Sequence, residues 1–334
     1  MKILLLCIPL LALSACQDSA ALLNVSYDPT REFFTEYNLY FSDLWEKQHG
    51  KRILISQSHG GSGKQARAVI DGIPADVVTL ALGYDIDAIA AKGLIRKNWQ
   101  QQLPYNSAPY TSTIIFVVRK GNPKKIRGWD DLIRKDVEVV IANPLTSGGA
   151  RWAYLAAWGH AQITRQGDID AIRQYMKALY ANAPILDTSA RGAAMSFAER
   201  YIGDVLVSWE NEALLLLRYH SDELEIVTPP YSILAEPAVA VVDRNVDERG
   251  TRSLAEAYLK TLYTEEAQDI AARHYYRPRS QSILKRYAHH FPSLRLFTLD
   301  EMFGSWADVH KKHFASDGEF DRIIRELGMQ QAKK

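Results

Sequence analysis

The sequence predicts an α/β protein built as two lobes. Three observations carry this expectation. Strand-like and helix-like segments alternate through roughly the first hundred residues. Four loops share one design, a strand that ends in small polar or glycine residues and opens a helix. The length of 334 residues suggests two domains of about 150 residues, each able to bury its own core.

The first feature in chain order is an apolar run of 11 residues at 3–13, broken by Pro9 and preceded by Lys2. It is too short to span a bilayer, which takes about 20 residues, and it fits the core of an export signal. Leu13-Ser14-Ala15-Cys16 follows and is similar to the bacterial lipobox. That pattern implies a signal peptide over 1–15, with Cys16 acylated as the first residue of the exported chain. An ordinary cleavage site beside a coincidental cysteine is the alternative. Cys7 leaves with the signal, so residues 17–334 hold no thiol. A chain of this size folds on its core without disulfides.

Residues 22–27 read as a strand. Asp28-Pro29 then opens a helix, with Asp as the cap and Pro in the first turn. Phe33, Phe34, Tyr37, Tyr40, Phe41, Leu44 and Trp45 recur along it at helical spacing, and Gly50 ends it. A strand at 52–55, a Gly60-Gly61-Ser62-Gly63 loop, a helix over 64–71 and a strand at 75–82 complete the first series, which argues for a largely parallel sheet. Residues 111–118 are a strong β run before a Lys120-Gly121-Asn122-Pro123 turn. A strand at 137–142 leads through Asn143-Pro144 into a Ser-Gly-Gly loop and a helix carrying Trp152, Leu155 and Ala156. Strands follow at 204–209, 225–227 and 237–242, and helices at 254–263, 265–275 and 297–313. No repeat or low-complexity linker interrupts the chain, so it crosses between lobes on ordinary strands. With 111–118 and 237–242 as the crossings, lobe I comprises 16–112 plus 241–334, and lobe II comprises 113–240.

The 40 basic and 39 acidic side chains nearly cancel. That balance gives no basis for nucleic-acid binding. Removal of 1–15 takes away Lys2 alone and leaves 39 of each sign. An apolar share of 47% with 24% charged residues excludes a disordered chain. No later segment approaches 18 apolar residues in a row.

The chemistry concentrates in four loops: Ser26-Tyr27-Asp28-Pro29-Thr30, Ser58-His59-Gly60-Gly61-Ser62-Gly63-Lys64-Gln65, Thr146-Ser147-Gly148-Gly149-Ala150-Arg151 and Thr188-Ser189-Ala190-Arg191-Gly192. A helix start leaves main-chain N–H groups unpaired and carries about half a positive charge. Glycine lets a ligand approach that backbone closely. Such starts form anion sites without a cationic side chain, and in α/β sheets they gather where strands end. Trp209, at the end of another strand, carries a donor-only indole.

Enzyme readings fit these residues poorly. A phosphate-binding loop needs G-x-x-x-x-G-K-[ST]; here Gly63-Lys64 is flanked by Ser58 and Gln65, so both ends fail. An esterase elbow needs G-x-S-x-G, and Lys64 stands where the last glycine belongs. A Ser62/Lys64 dyad competes with the ordinary reading of a solvated lysine at a helix start. His310 and His313 can share a helix face and His289-His290 are adjacent, yet no further ligand sits at a metal-site spacing. Metals and cofactors are not expected.

Taken together, the motifs resemble the bacterial periplasmic sulfate-binding proteins, the receptors of sulfate/thiosulfate ABC importers. The resemblance runs through Asn24-Val25-Ser26-Tyr27-Asp28-Pro29-Thr30-Arg31-Glu32, Gln57-Ser58-His59-Gly60-Gly61-Ser62-Gly63-Lys64-Gln65, Ser107-Ala108-Pro109-Tyr110-Thr111-Ser112-Thr113, Ser147-Gly148-Gly149-Ala150-Arg151-Trp152, Gly203-Asp204-Val205-Leu206, Trp209-Glu210-Asn211-Glu212-Ala213 and Ile233-Leu234-Ala235-Glu236-Pro237. It implies a type II periplasmic binding protein, two α/β lobes closing by hinge bending over a ligand in the cleft. It implies a non-enzymatic, monomeric receptor outside the cytoplasm that passes sulfate to the transmembrane subunits of an ABC permease; the lipid anchor expected at Cys16 comes from the lipobox-like motif and departs from soluble members of the family.

The resemblance also implies the ligand set: the main-chain N–H groups of Asp28, Ser62, Gly148, Gly149 and Ala190, the hydroxyl of Ser147 and the indole N–H of Trp209. Donors alone suit sulfate, which has no proton at neutral pH. Phosphate keeps one, and that proton would face further donors, an arrangement costing about 1–3 kcal/mol. The Asp28 carboxylate is therefore expected to turn away, capping its helix or pairing with Arg151 or Arg191. Thiosulfate is the main rival ligand, with molybdate, tungstate and phosphate behind it. A hydrolase of an anionic ester is the rival from another class.

Overall fold

The computed structural model describes residues 21–328. The expected signal peptide over 1–15 and the expected lipid site at Cys16 lie outside them. Nine strands form two sheets: β1 (Ala21–Tyr27), β2 (Leu54–Gly60), β3 (Val77–Leu80), β4 (Ile114–Arg119), β5 (Val139–Ala142), β6 (Leu186–Asp187), β7 (Val205–Trp209), β8 (Leu224–Val227) and β9 (Ala238–Val241). The first sheet has the order β9-β3-β1-β2 and the second β6-β5-β7-β4-β8. In the first, β1 pairs in parallel with β2 and β3, and β9 closes the edge antiparallel to β3. In the second, β5 is parallel to β6 and β7, while β4 runs antiparallel to β7 and β8.

Helices follow the parallel strands. They include α1 (Arg31–His49), α2 (Ser62–Ile70), α3 (Gly83–Ala90), α4 (Gly148–Thr164), α5 (Ala190–Ala198) and α6 (Glu210–His220). Helix α1 buries Phe33, Phe34, Tyr37 and Phe41, and Gly50 ends it at φ 67°, a left-handed turn that glycine adopts without strain. The expected Asp28 cap does not form. Residues Asp28–Thr30 make a short 3-10 turn with no side-chain cap bond, and α1 starts after it. The expected Gly60–Gly63 loop is shorter too. Strand β2 runs through Gly60, Gly61 takes the cap position, and α2 begins at Ser62.

The chain crosses between lobes where Ser112 and Ala235 form an antiparallel bridge, each N–H donating to the other's carbonyl at 2.9 Å. Ser112 stands in the first of the two expected crossing runs, 111–118. The second comes earlier than expected, because β9 already belongs to the first sheet, so lobe II ends before residue 238 rather than at 240. The assignment of all of 241–334 to lobe I also fails. Strand Arg295–Phe297 pairs with Tyr231–Ile233, and Phe297, Val309, Phe314, Phe320 and Ile324 share one core with Trp152, Leu155 and Trp158 of lobe II. Helix Glu319–Glu326 lies on helix Ile169–Ala181, with Arg173 donating to Glu319 at 2.7 Å. The chain thus returns to lobe II after Arg277–Pro278. The expected helix over 297–313 breaks into Leu299–Phe303, Trp306–Val309 and a π-turn His310–Phe314, with Gly304 at φ 76° between the first two.

Candidate functional site

The carboxyl ends of the parallel strands place the expected residues together. Strand β1 delivers Asp28; β2 and its Gly61 cap deliver Ser62. The loops after β5 and β6 deliver Ser147 and Ser189 as the caps of α4 and α5, and Trp209 is the last residue of β7. Asp28, Ser62, Ser147, Gly148, Gly149 and Ala190 line one cavity of about 20 Å³ between the lobes, with Tyr27, Pro29, Gly60, Gly61, Ala81 and Ser189. That space is on the scale of one small ion or water. Trp209 stands directly behind Gly149.

The available donors follow from the local hydrogen bonds. The first residues of α2, α4 and α5 have no acceptor within their own helices for their N–H groups. Ser147 Oγ accepts the N–H of Ala150 at 3.2 Å, which leaves its own proton free to donate. Ser62 Oγ is already committed, donating to Asp85 at 2.5 Å and accepting from the N–H of Ala81 at 3.1 Å. Only the main-chain N–H of Ser62 remains for a ligand. The indole Nε1 of Trp209 is buried without a hydrogen-bond partner. A buried donor left alone is costly, so it marks a place for an acceptor.

The glycines are sterically required. A Cβ at Gly148 would lie 3.0 Å from Cβ of Ser62 and 3.1 Å from Cβ of Ala81, both in lobe I. A Cβ at Gly149 would lie 2.4 Å from the Trp209 indole nitrogen. The close approach of the lobes therefore depends on Gly148.

No Lys, Arg or His lines the cavity. The single carboxylate among its lining residues, that of Asp28, pairs with Nη2 of Arg31 at 3.0 Å. The cation expected as its partner is Arg31, neither Arg151 nor Arg191. Arg151 donates to the Pro144 carbonyl at 2.9 Å and packs over Phe314, and burial pushes its guanidinium below the usual range. Arg191 forks onto Glu212 at 2.9 and 3.1 Å and reaches Glu32 of lobe I at 3.2 Å. Burial drives the Glu212 carboxyl up, against the pull of Arg191. Burial also raises Glu32, but there Arg191 wins and holds the carboxyl below its ordinary value. The sequence reading missed Glu32 and Glu212; both stand in quoted motifs, but nothing in their spacing shows that one arginine joins them.

The residues that other chemistries would use have the following partners. Lys64 is exposed, and the Ser62 hydroxyl donates to Asp85 rather than to Lys64. His310 stacks on Tyr84 at 4.4 Å, while Nδ1 of His313 meets the Tyr154 hydroxyl at 3.2 Å, so the two rings have separate partners. Among the described residues no group of three or more His, Cys, Asp or Glu could hold a metal.

Residues 40–277 match the family described as bacterial extracellular solute-binding protein. The chain is 56% identical to the sulfate-binding protein of Escherichia coli (strain K12) over 317 residues, 95% of this chain and 96% of that one. It is 47% identical to the thiosulfate-binding protein of Pseudomonas aeruginosa, covering 92% and 93% of the two chains. Among solved structures it is similar to the sulfate-binding protein SubI from Mycobacterium tuberculosis H37Rv, with a TM-score of 0.79 and 30% identity, covering 89% of this chain and all of that one. The periplasmic binding protein AfuA from Actinobacillus pleuropneumoniae shares the fold at a TM-score of 0.62 and 20% identity, covering 92% and 98% of the two chains.

Proposed function

The chain belongs to the bacterial extracellular solute-binding proteins, and from that premise we propose that it captures sulfate between its lobes and hands it to an ABC importer. The observation that carries this reading is the 20 Å³ cavity, on which helix starts from both lobes converge without any cationic side chain. The donors are the N–H groups of Asp28, Ser62, Gly148, Gly149 and Ala190, the Ser147 hydroxyl and the Trp209 indole. A dianion taken out of water must have its oxygens satisfied, and hydrogen bonds to a charged acceptor are the strong ones. Helix N-termini supply the positive potential that a counter-ion would otherwise provide.

The same set sorts anions by protonation. Sulfate presents acceptors only. Protonated phosphate must place a donor against donors, since the Asp28 carboxylate is held by Arg31. The receptor acts outside the cytoplasm as a monomer, held to a membrane by lipid on Cys16, and the transmembrane permease subunits are its partners.

Calorimetric titration of the exported chain, dialysed free of sulfate, tests the reading. One-to-one heat with sulfate or thiosulfate and none with phosphate is expected. Phosphate binding of comparable strength, or no heat with any of the three, contradicts it.

A further inference from the structure

We propose that Gly149 and Trp209 act as one unit that selects sulfate over thiosulfate. The inference rests on the anion-receptor reading above and names the residues that set its specificity.

Of the two side-chain donors, Ser147 is tied to its helix by the Ala150 N–H. Trp209 is held differently. Its indole is 1% exposed, its ring centroid lies 5.8 Å from that of Tyr27, and its Nε1 has no partner among the described residues. A Cβ at Gly149 would meet Nε1 at 2.4 Å, Cδ1 at 3.1 Å and Cε2 at 3.3 Å. The indole therefore lies directly on the Cα of Gly149. It neither retreats behind that glycine nor swings past Tyr27.

Sulfate offers four equivalent oxygens. Thiosulfate replaces one with a terminal sulfur on a longer bond, a larger atom and a weak acceptor. At the helix starts the donors are main-chain N–H groups that cannot be trimmed or moved without unwinding a turn. The Trp209 corner is the one built from a side chain backed by a residue with no side chain. A rigid indole N–H aimed there demands an oxygen, and sulfur at that corner both loses the bond and is crowded. Replacing indole by a smaller ring without N–H makes a carbon-lined space that suits sulfur. A methyl group at position 149 displaces the indole and reaches the same result from the other side.

The test titrates wild type, Trp209→Phe, Gly149→Ala and the double variant with sulfate and with thiosulfate, with melting curves to check folding. Wild type binds sulfate more tightly. In Trp209→Phe, sulfate weakens about 10- to 100-fold, as for loss of one hydrogen bond to a charged acceptor. Thiosulfate weakens less than about threefold on the same scale, so the preference moves toward thiosulfate. Gly149→Ala shifts it in the same direction, and the double variant adds little, as for two residues acting through one contact. Equal weakening of both anions in Trp209→Phe reduces Trp209 to one donor among seven and overturns the proposal; so does a wild type that prefers thiosulfate. If Gly149→Ala fails to fold, Trp209→Phe decides alone. A wild type that binds neither anion sinks the receptor reading itself, an outcome distinct from an unchanged ratio.

Discussion

Arg191 of lobe II and Glu32 of lobe I meet across the cleft at 3.2 Å, while the same guanidinium forks onto Glu212 behind it. The inner pair is buried at its carboxylate, with 2% of the Glu212 side chain exposed, whereas Glu32 is about one-third exposed. Trp152 of lobe II adds a second link, donating its indole N–H to the Ala81 carbonyl of lobe I at 2.9 Å.

The two carboxylates should respond differently to mutation. Glu32→Gln removes a part-exposed pair worth about 0.5–1 kcal/mol, so anion affinity should fall about two- to fivefold with little change in stability. Arg191→Met leaves Glu212 buried without its cation, and breaking such a pair costs about 3–5 kcal/mol. Calorimetry and urea unfolding on both variants separate the effects. Equal loss of stability in the two would contradict the assignment.

Ser147 and Ser189 are both helix caps, accepting N–H bonds at 3.2 Å from Ala150 and 3.0 Å from Gly192. Either Ser→Ala change should cost about 0.5–2 kcal/mol of stability. Only Ser147→Ala should also weaken sulfate binding by about tenfold or more, through loss of the donated bond. Parallel melting and titration series check this.

Gly159 lets Phe297 seat the C-terminal segment on lobe II, since a Cβ there would lie 2.3 Å from the ring. Gly159→Ala should destabilise the protein by about 1–3 kcal/mol through overpacking, outweighing the helix propensity it gains. Proteolysis between residues 279 and 294 should quicken, because the segment that follows has lost its seat. Denaturant titration with limited digestion reads both effects.

His313 links stability to pH. Burial among Tyr154, Trp158 and Phe314 pushes its imidazole down to about 3, with Lys312 adding to the shift and Glu319 opposing it. An unfolded histidine titrates near 6.5. Between these values the unfolded chain binds a proton that the folded one refuses. The contribution is therefore complete above about pH 6.5 and is lost as pH falls toward 3, on the order of 5 kcal/mol across the window. His313→Gln should flatten that part of the pH profile in urea unfolding, and an unchanged slope would count against this source.

The cavity was legible because its parts are local. Small polar residues and glycine doublets at strand ends mark helix starts, and Gly148-Gly149 and Ser189-Ala190 stand where those signals put them. The return of residues 295–327 to lobe II was not legible. The apolar faces of Phe314, Phe320 and Ile324 announce burial but carry no record of which lobe covers them. Arg31 stands only three residues from Asp28, a spacing that could have shown the pair, but Arg191 as the bridge between Glu32 and Glu212 depends on side-chain reach across a formed cleft. No sequence spacing encodes that for residues 159 positions apart.

The most direct test of the donor-only cleft is a crystal structure of the exported chain with sulfate. The account predicts one anion between the lobes, bonded by the five main-chain N–H groups, Ser147 Oγ and Trp209 Nε1, each at about 2.7–3.2 Å. Lysine, arginine or any carboxylate should be missing from that shell. A guanidinium or ammonium group on the anion, a carboxylate facing it, or an anion seated outside this cavity would contradict the account.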